Sequence, residues 1–472
     1  MTVKELKHKS NTVWSLVREA LATEERDYTT LTLKRAVFML SLPMILEMVM
    51  ESAFAFFDAL YVGRIGSEAV ATVGLTESMM FVLYSIGIGI SMGATALIAR
   101  RIGEKNKKDA GTAAIQALWL TILVSVIISV IGIIYAPQLL ALMNAEQSVI
   151  DSGSGYTRIL IGGNLSVMLL FLINAIFRGG GDASIAMRTL VLANLLNIAL
   201  DPLFIFGLPF LGWDGFGVEG AAIATTIGRS LGVLYQIRML SKGKANMVIT
   251  RENIIVRWAT IKSILRISLG GVGQFLIESA SWIFIARVVA RFGTEATAGY
   301  TLALRVVITS ILPFFGMANA AATLVGQNLG AKQPERAEKS AWFTAHIAGI
   351  CLAILSVLYF TFAPQIIWIF TNEVEVIALG SKYLRIICVG YVFFAYGMVI
   401  SQSINGAGDT ATPTWLNLVA FWAVQIPLAY GLSVLLDMGA EGAMWAITVA
   451  FSLHAMLSMW VFKWGKWKLK EV

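Results

Sequence analysis

The sequence is poor in charge and almost free of cysteine and histidine. Of 472 residues only 14% are Asp, Glu, Lys or Arg, and 57% are apolar. A soluble domain carries nearer a quarter charged residues, so a soluble enzyme, a disordered tail and a nucleic-acid module are all excluded. The two cysteines, Cys351 and Cys388, lie in apolar runs, which excludes a disulfide framework and a cysteine zinc site. Three histidines (His8, His346, His454) are too scattered to show metal-ligand spacing. No P-loop, HExxH or GxSxG is present, which argues against an ATP-driven pump carried by this chain. The first 34 residues are polar and mixed in charge, without the short apolar stretch of a cleavable signal. A net charge of +7 would suit nucleic acid, but the excess Lys and Arg sit in short gaps between apolar runs.

Those runs are what the chain has instead. Twelve segments approach the ~20 residues that a bilayer-spanning helix needs. They run over 35–62, 69–98, 112–135, 155–178, 184–207, 217–240, 264–291, 296–325, 338–361, 377–404, 412–435 and 441–463. Lys and Arg cluster in alternate gaps: 100–108, 242–262 and 332–339, with the tail from Lys463. The other gaps are nearly bare. Basic gaps stay on the cytoplasmic side, which predicts two cytoplasmic termini, an even span count and a multi-pass protein of the cell membrane. Trp14, Val17 and Leu21 recur at helical spacing. The leader is therefore either an amphipathic helix on the inner surface or a frayed tail.

The chain also repeats itself. Ile65-Gly-Ser-Glu-Ala returns 227 residues on as Phe292-Gly-Thr-Glu-Ala. At the same offset Ala136-Pro-Gln returns at Ala363, Tyr156-Thr-Arg-Ile at Tyr383, Gly179-Gly-Gly-Asp at Gly406, and Glu51-Ser-Ala at Glu278. One offset held this far implies two copies of a six-helix unit. Because six is even, both copies point the same way, and a pseudo-two-fold axis along the membrane normal is expected to relate them. The reading is an all-α membrane protein of twelve helices in two lobes. It comprises a segment 1–34, an N-lobe 35–241, a linker 242–262, a C-lobe 263–463 and a tail 464–472. Two parallel lobes around a central cavity suit a carrier rather than an enzyme.

An ionised group in the bilayer core costs roughly 2.5–3.5 kcal/mol or more, so acids placed there need a reason. Glu47, Glu51, Asp58, Glu77, Asp201 and Glu278 are such acids. Glu51 and Asp58 lie about 40° and 20° around a helix from Glu47, forming one acidic stripe that must face protein or water. Pairing with Arg229 or Arg305 is the bland alternative for these acids. Glu51 and Glu278 are repeat mates and are expected to face one another across the cleft. Asp58 and Asp201 have no acidic mate, which places an unshared function in the N-lobe. Asn197 lies one turn before Asp201, and Pro202 frees a nearby carbonyl. Such a set can share and release protons, or offer hard oxygen ligands to a small cation. Met and aromatic residues are expected in the cavity, where adaptable thioethers and flat rings suit varied apolar cations.

Several stretches together resemble the multidrug and toxic compound extrusion (MATE) family. They are Pro43 with Phe57-Asp58-Ala-Leu-Tyr-Val-Gly63, Gly93-Ala-Thr-Ala-Leu, Ala136-Pro-Gln-Leu-Leu, Arg178-Gly-Gly-Gly-Asp182, Asn197-Ile-Ala-Leu-Asp201-Pro202 and Gly220-Ala-Ala-Ile-Ala-Thr225. The resemblance covers about residues 35–463. It implies two six-helix bundles in a V and export of organic cations in exchange for protons or sodium, with no cofactor. Asp58, Asn197, Asp201 and Thr225 match the coupling site of the DinF-like branch, with Tyr156 as its tyrosine, and sodium would sit on the first four. Glu278 matches an acid of the NorM-like branch, but that branch's second acid is Phe394 here, so the C-lobe sodium site is incomplete. Glu47, Glu51 and Glu278 are the expected substrate acids. The expected partners are an amphipathic organic cation and the bilayer, not nucleic acid, and the working unit is a monomer. A flippase for a lipid-linked sugar is the alternative. It would need a basic cavity, with Arg229 and Arg305 as candidates. An intramembrane enzyme or a channel is a third reading.

Overall fold

The computed structural model describes residues 14–22, 26–208 and 212–471. Within the bilayer every backbone N–H and C=O must find its partner inside the protein, so the apolar runs become helices. Twelve follow: α1 Leu33–Gly63, α2 Ser67–Gly103, α3 Lys107–Leu142, α4 Gln147–Gly180, α5 Ala183–Phe206, α6 Val218–Ser241, α7 Trp258–Val289, α8 Thr294–Gly330, α9 Pro334–Trp368, α10 (Val374–Val389 and Tyr391–Gly406), α11 Ala411–Leu435 and α12 Ala440–Trp464. Ten are long and apolar enough to cross a membrane as single helices, and α10 does so as a pair bent by 52°. The remaining one, α6, has 24 residues and carries Glu219, Arg229 and Arg238. Several helices outrun their apolar cores; α2 and α3 continue well beyond 69–98 and 112–135. Segment 14–20 of the leader is helical, with Trp14 exposed and Ala20 buried. The expectation for residues 1–13 lies outside the described residues.

The first six and the last six helices form two lobes. Between them α1 packs on α8, α7 on α2, and α2 on α8. The first two pairings exchange under the repeat, and the third lies on its axis. The contacts obey the same rule atom by atom. A Cβ added at Gly103 would lie 2.0 Å from the Gln327 carbonyl oxygen, and one at Gly330 would lie 2.1 Å from that of Arg100. Likewise Gly89 abuts the Val272 nitrogen and Gly316 that of Ile45. Each contact is the other's mate at the 227-residue offset. Glycine is required here because two backbones touch.

The repeated motifs acquire physical reasons. Pro137 and Pro364 lack the N–H that would bond the carbonyls of Ile133 and Phe360, and the backbone breaks at Tyr135 and Phe362. Arg158 Nε donates to the Ile133 oxygen at 3.1 Å, and Arg385 Nε to the Phe360 oxygen at 2.9 Å. The Tyr-x-Arg-Ile repeat thus supplies the donor that the Ala-Pro-Gln repeat removes. Gly181 and Gly408 both end their helices at positive φ, 93° and 88°, the left-handed cap that glycine adopts without strain. The symmetry breaks at α11. There π-helical turns Leu418–Gln425 and Gly431–Leu435 replace the regular winding of α5.

The basic turns, leader, linker and tail share one face. Arg336 Nη2 donates to the Tyr28 oxygen at 2.9 Å, Arg188 Nη2 to the Leu21 oxygen at 2.7 Å, and Arg100 Nη2 to the Lys470 oxygen at 3.0 Å. The linker clamps onto α3 through Gln116, whose amide donates to the carbonyls of Asn253 and Ile255 at 2.9 Å each. Lys108 also pairs with Glu252 at 2.8 Å, which holds that exposed carboxyl below its usual range.

Candidate ion site and central cavity

In the N-lobe, α1, α4, α5 and α6 bring the expected residues together. Asp201 and Asn197 share one face of α5, one turn apart. Asn197 Nδ2 donates to Asp201 Oδ1 at 3.1 Å and to Thr225 Oγ1 on α6 at 3.0 Å. All three residues are buried, as are Asp58 and Tyr156. The charge of Asp58 is felt at both Asp201 and Tyr156. Asp201 Oδ2 and Asn197 Oδ1 are buried and have no hydrogen-bond partner among the described residues. A buried oxygen left unpaired is costly, so these atoms point to something that binds them. The donor set is all oxygen. It suits a proton or a hard cation such as sodium, and sodium would rest on Asp58, Asn197, Asp201 and Thr225. No cluster of three or more His, Cys, Asp or Glu fit for a metal ion occurs among the described residues.

A second group adjoins this one. Arg229 Nη2 lies 3.6 Å from Glu51 Oε1 and its guanidinium stands over the Phe54 ring at 5.2 Å. Asn194 Nδ2 approaches Glu51 at 3.5 Å and donates to the Met50 oxygen at 3.0 Å. The pairing alternative therefore holds for Glu51 with Arg229. It fails for Arg305, which is exposed and forms no ion pair among the described residues. Glu77 is exposed on α2, where its charge reaches Asp58.

A cavity of about 280 Å³ lies between the lobes, walled by Glu47, Glu51, Met48, Met92, Phe171 and Phe275 among others. Glu47 and Glu51 line this cavity as expected, and one expectation needs correction. Arg178 Nη1 donates to Glu47 Oε1 at 2.6 Å, with Asn174 Nδ2 at 3.3 Å. Glu51 is likewise held by Arg229. Glu278 does not face Glu51 across the cleft. It lines a separate chamber of about 50 Å³ with Phe394, Gln274 and His454, and Phe275, Phe315 and Gln402 wall both spaces. Asn417 and Phe421 of α11 line that chamber with Glu278. Arg178 was visible in the sequence only as the first residue of a glycine turn. Its role shows once α4 packs near α1.

Twelve membrane helices in two pseudo-symmetric lobes, enclosing a cavity and flanked by a buried polar site, define a multi-pass membrane transporter rather than an enzyme. Residues 43–203 and 272–431 match the MatE family, and the chain belongs to it. A probable multidrug resistance protein NorM from Thermotoga maritima is 26% identical over 97% of both chains. A FAD transporter from Shewanella oneidensis is 24% identical over 88% of this chain and 91% of its own. A solved outward-facing multidrug resistance MATE transporter superposes with a TM-score of 0.86 at 28% identity, covering 93% of this chain and 96% of its own.

Proposed function

We propose that the protein is a secondary antiporter that exports amphipathic organic cations in exchange for protons or sodium by alternating access. The observation that carries this reading is the pair of unpartnered buried oxygens on Asp201 and Asn197 beside Asp58. An ion arriving there satisfies them and neutralises charge in the N-lobe. Helices α1 and α5 then repack, and the cavity between the lobes changes its opening. Ion and drug compete for the same negative charge, and that competition gives exchange. The two lobes are complete in one chain, which suits a functional monomer. The positive-inside rule makes the Lys/Arg-rich face cytoplasmic in the cell membrane. The lobes touch through Gly103 and Gly330 on that face, which supports reading this state as closed to the cytoplasm, like the solved outward-facing relative. The domain limits are the sequence ones: leader to 34, lobes 35–241 and 263–463, linker 242–262. A lipid-linked sugar would need a basic cavity. Here Arg178 is held by Glu47 and Arg229 by Glu51, which favours organic cations.

The test is efflux of a fluorescent organic cation from proteoliposomes under an imposed pH or sodium gradient. Asp58→Asn and Asp201→Asn are expected to reduce gradient-driven efflux at least tenfold in folded protein, and the gradient that drives the wild type names the ion. Intact driven efflux in the double mutant would sink the proposal.

A further inference from the structure

The two lobes tie α1 to α4 and α7 to α10 at equivalent points by different chemistry. In the N-lobe the tie is the Glu47–Arg178 ion pair. Their repeat mates are Gln274 and Asn405. There Gln274 Nε2 donates to Asn405 Oδ1 and Asn405 Nδ2 donates to Gln274 Oε1, both at 3.0 Å, and Gln274 Nε2 also reaches the Thr410 oxygen at 3.1 Å. The C-lobe shows that this helix contact is satisfied without charge. An ion pair at such a site carries a desolvation cost that a neutral pair avoids. The N-lobe pair is also incompletely used: Glu47 Oε2 is buried without a partner among the described residues. Glu47 and Arg178 both line the central cavity, as does Asn405, whereas Gln274, the mate of Glu47, lines the side chamber. The charges thus face the space through which substrate passes.

We infer that the Glu47–Arg178 pair is the charge filter of the central cavity. A cationic amphiphile takes Glu47 in place of Arg178, so one charge pair replaces another and the Arg178 guanidinium alone is released to the cavity it lines. A neutral molecule of the same shape cannot open the pair without leaving both charges unpaired, and is rejected. Because one cation replaces another, binding stays modest and release is not strongly opposed, as a carrier requires. This rests on the transport reading above and names the side chains that set its selectivity.

The experiment uses the full-length protein and two probes of one shape: a dansyl amide ending in trimethylammonium and its carbon isostere ending in tert-butyl. Binding to purified protein is read by dansyl fluorescence, and transport of the cation is read in proteoliposomes. The wild type is expected to prefer the cation by about tenfold or more, the scale of one close charge pair. Glu47→Gln with Arg178→Asn copies the C-lobe pair. It is expected to abolish the preference and to raise KM for the cation about tenfold with a smaller change in kcat. Arg178→Lys keeps the charge in a single, milder change and is expected to retain the preference. It serves if the double variant does not fold, since loss of preference in Arg178→Lys would count against the filter. A folded double variant that keeps the full preference overturns the inference. Binding preference in a wild type that transports nothing would instead overturn only the antiport reading, so the two failures are distinguishable.

Discussion

Two kinds of ionisable residue share the membrane interior of this protein, and their surroundings separate them. Glu47 and Glu51 each meet an arginine, while Asp201 meets the neutral Asn197 amide and no cation among the described residues. Removing one member of a buried pair strands the other, at about 3–5 kcal/mol. Arg178→Ala alone should therefore destabilise the protein more than the paired neutral substitution, and thermal unfolding in detergent checks the order. Arg158 is a different case. Among the described residues its hydrogen-bond partner is the Ile133 carbonyl that Pro137 leaves free. Arg158→Leu is expected to cost about 1–3 kcal/mol, and Pro137→Ala, by restoring the helix donor, should recover part of it. A Tm series of the single and double variants measures that coupling. That Asn197 and Asp201 share a face was legible in the sequence because helical periodicity fixes it. Arg229 was legible as a candidate partner, but Arg178 was not, since its pairing depends on how α4 meets α1.

At the scale of elements, the linker is a docked strap. Glu252 holds Lys108 and its carboxyl lies below its ordinary range, with the Lys108 hydrogen bond as the leading cause. An acid whose folded value is lowered stabilises the docked form above its unfolded value, near 4.3, and loses that contribution as pH falls through the lower folded value. Hydrogen exchange of amides 250–257 is expected to be slow at neutral pH and to quicken relative to the lobes as pH drops below about 4. Glu252→Gln should remove the pH dependence but not the docking, because Gln116 still holds three groups of the strap. The element least legible in advance was α11. Its apolar run spans 412–435 as read, yet the π-helical turns replace regular winding over Leu418–Gln425 and Gly431–Leu435.

At the scale of the whole molecule, the contact between lobes lies on the basic face and rests on glycine. Gly103→Val and Gly330→Val each force a side chain into a carbonyl of the opposite lobe. Either is expected to shift the population toward the state in which that face is open. Spin-label distances across the opposite face should shorten as a result, and no change would argue against a rocking of the lobes about this contact. The equivalence of the two mutants is itself a test, because the repeat makes them mates.

The sequence by itself determined the helices, the two copies and the shared face of Asn197 and Asp201. Apolar length, a constant offset and helical periodicity are local or one-dimensional properties, and the bilayer leaves the backbone no alternative to helix. Only the tertiary structure decided which acids are neutralised by arginine, which oxygens stay unpartnered, and that Glu278 does not meet Glu51. Those outcomes depend on how helices far apart in the chain rotate and pack, which no local property of the sequence fixes.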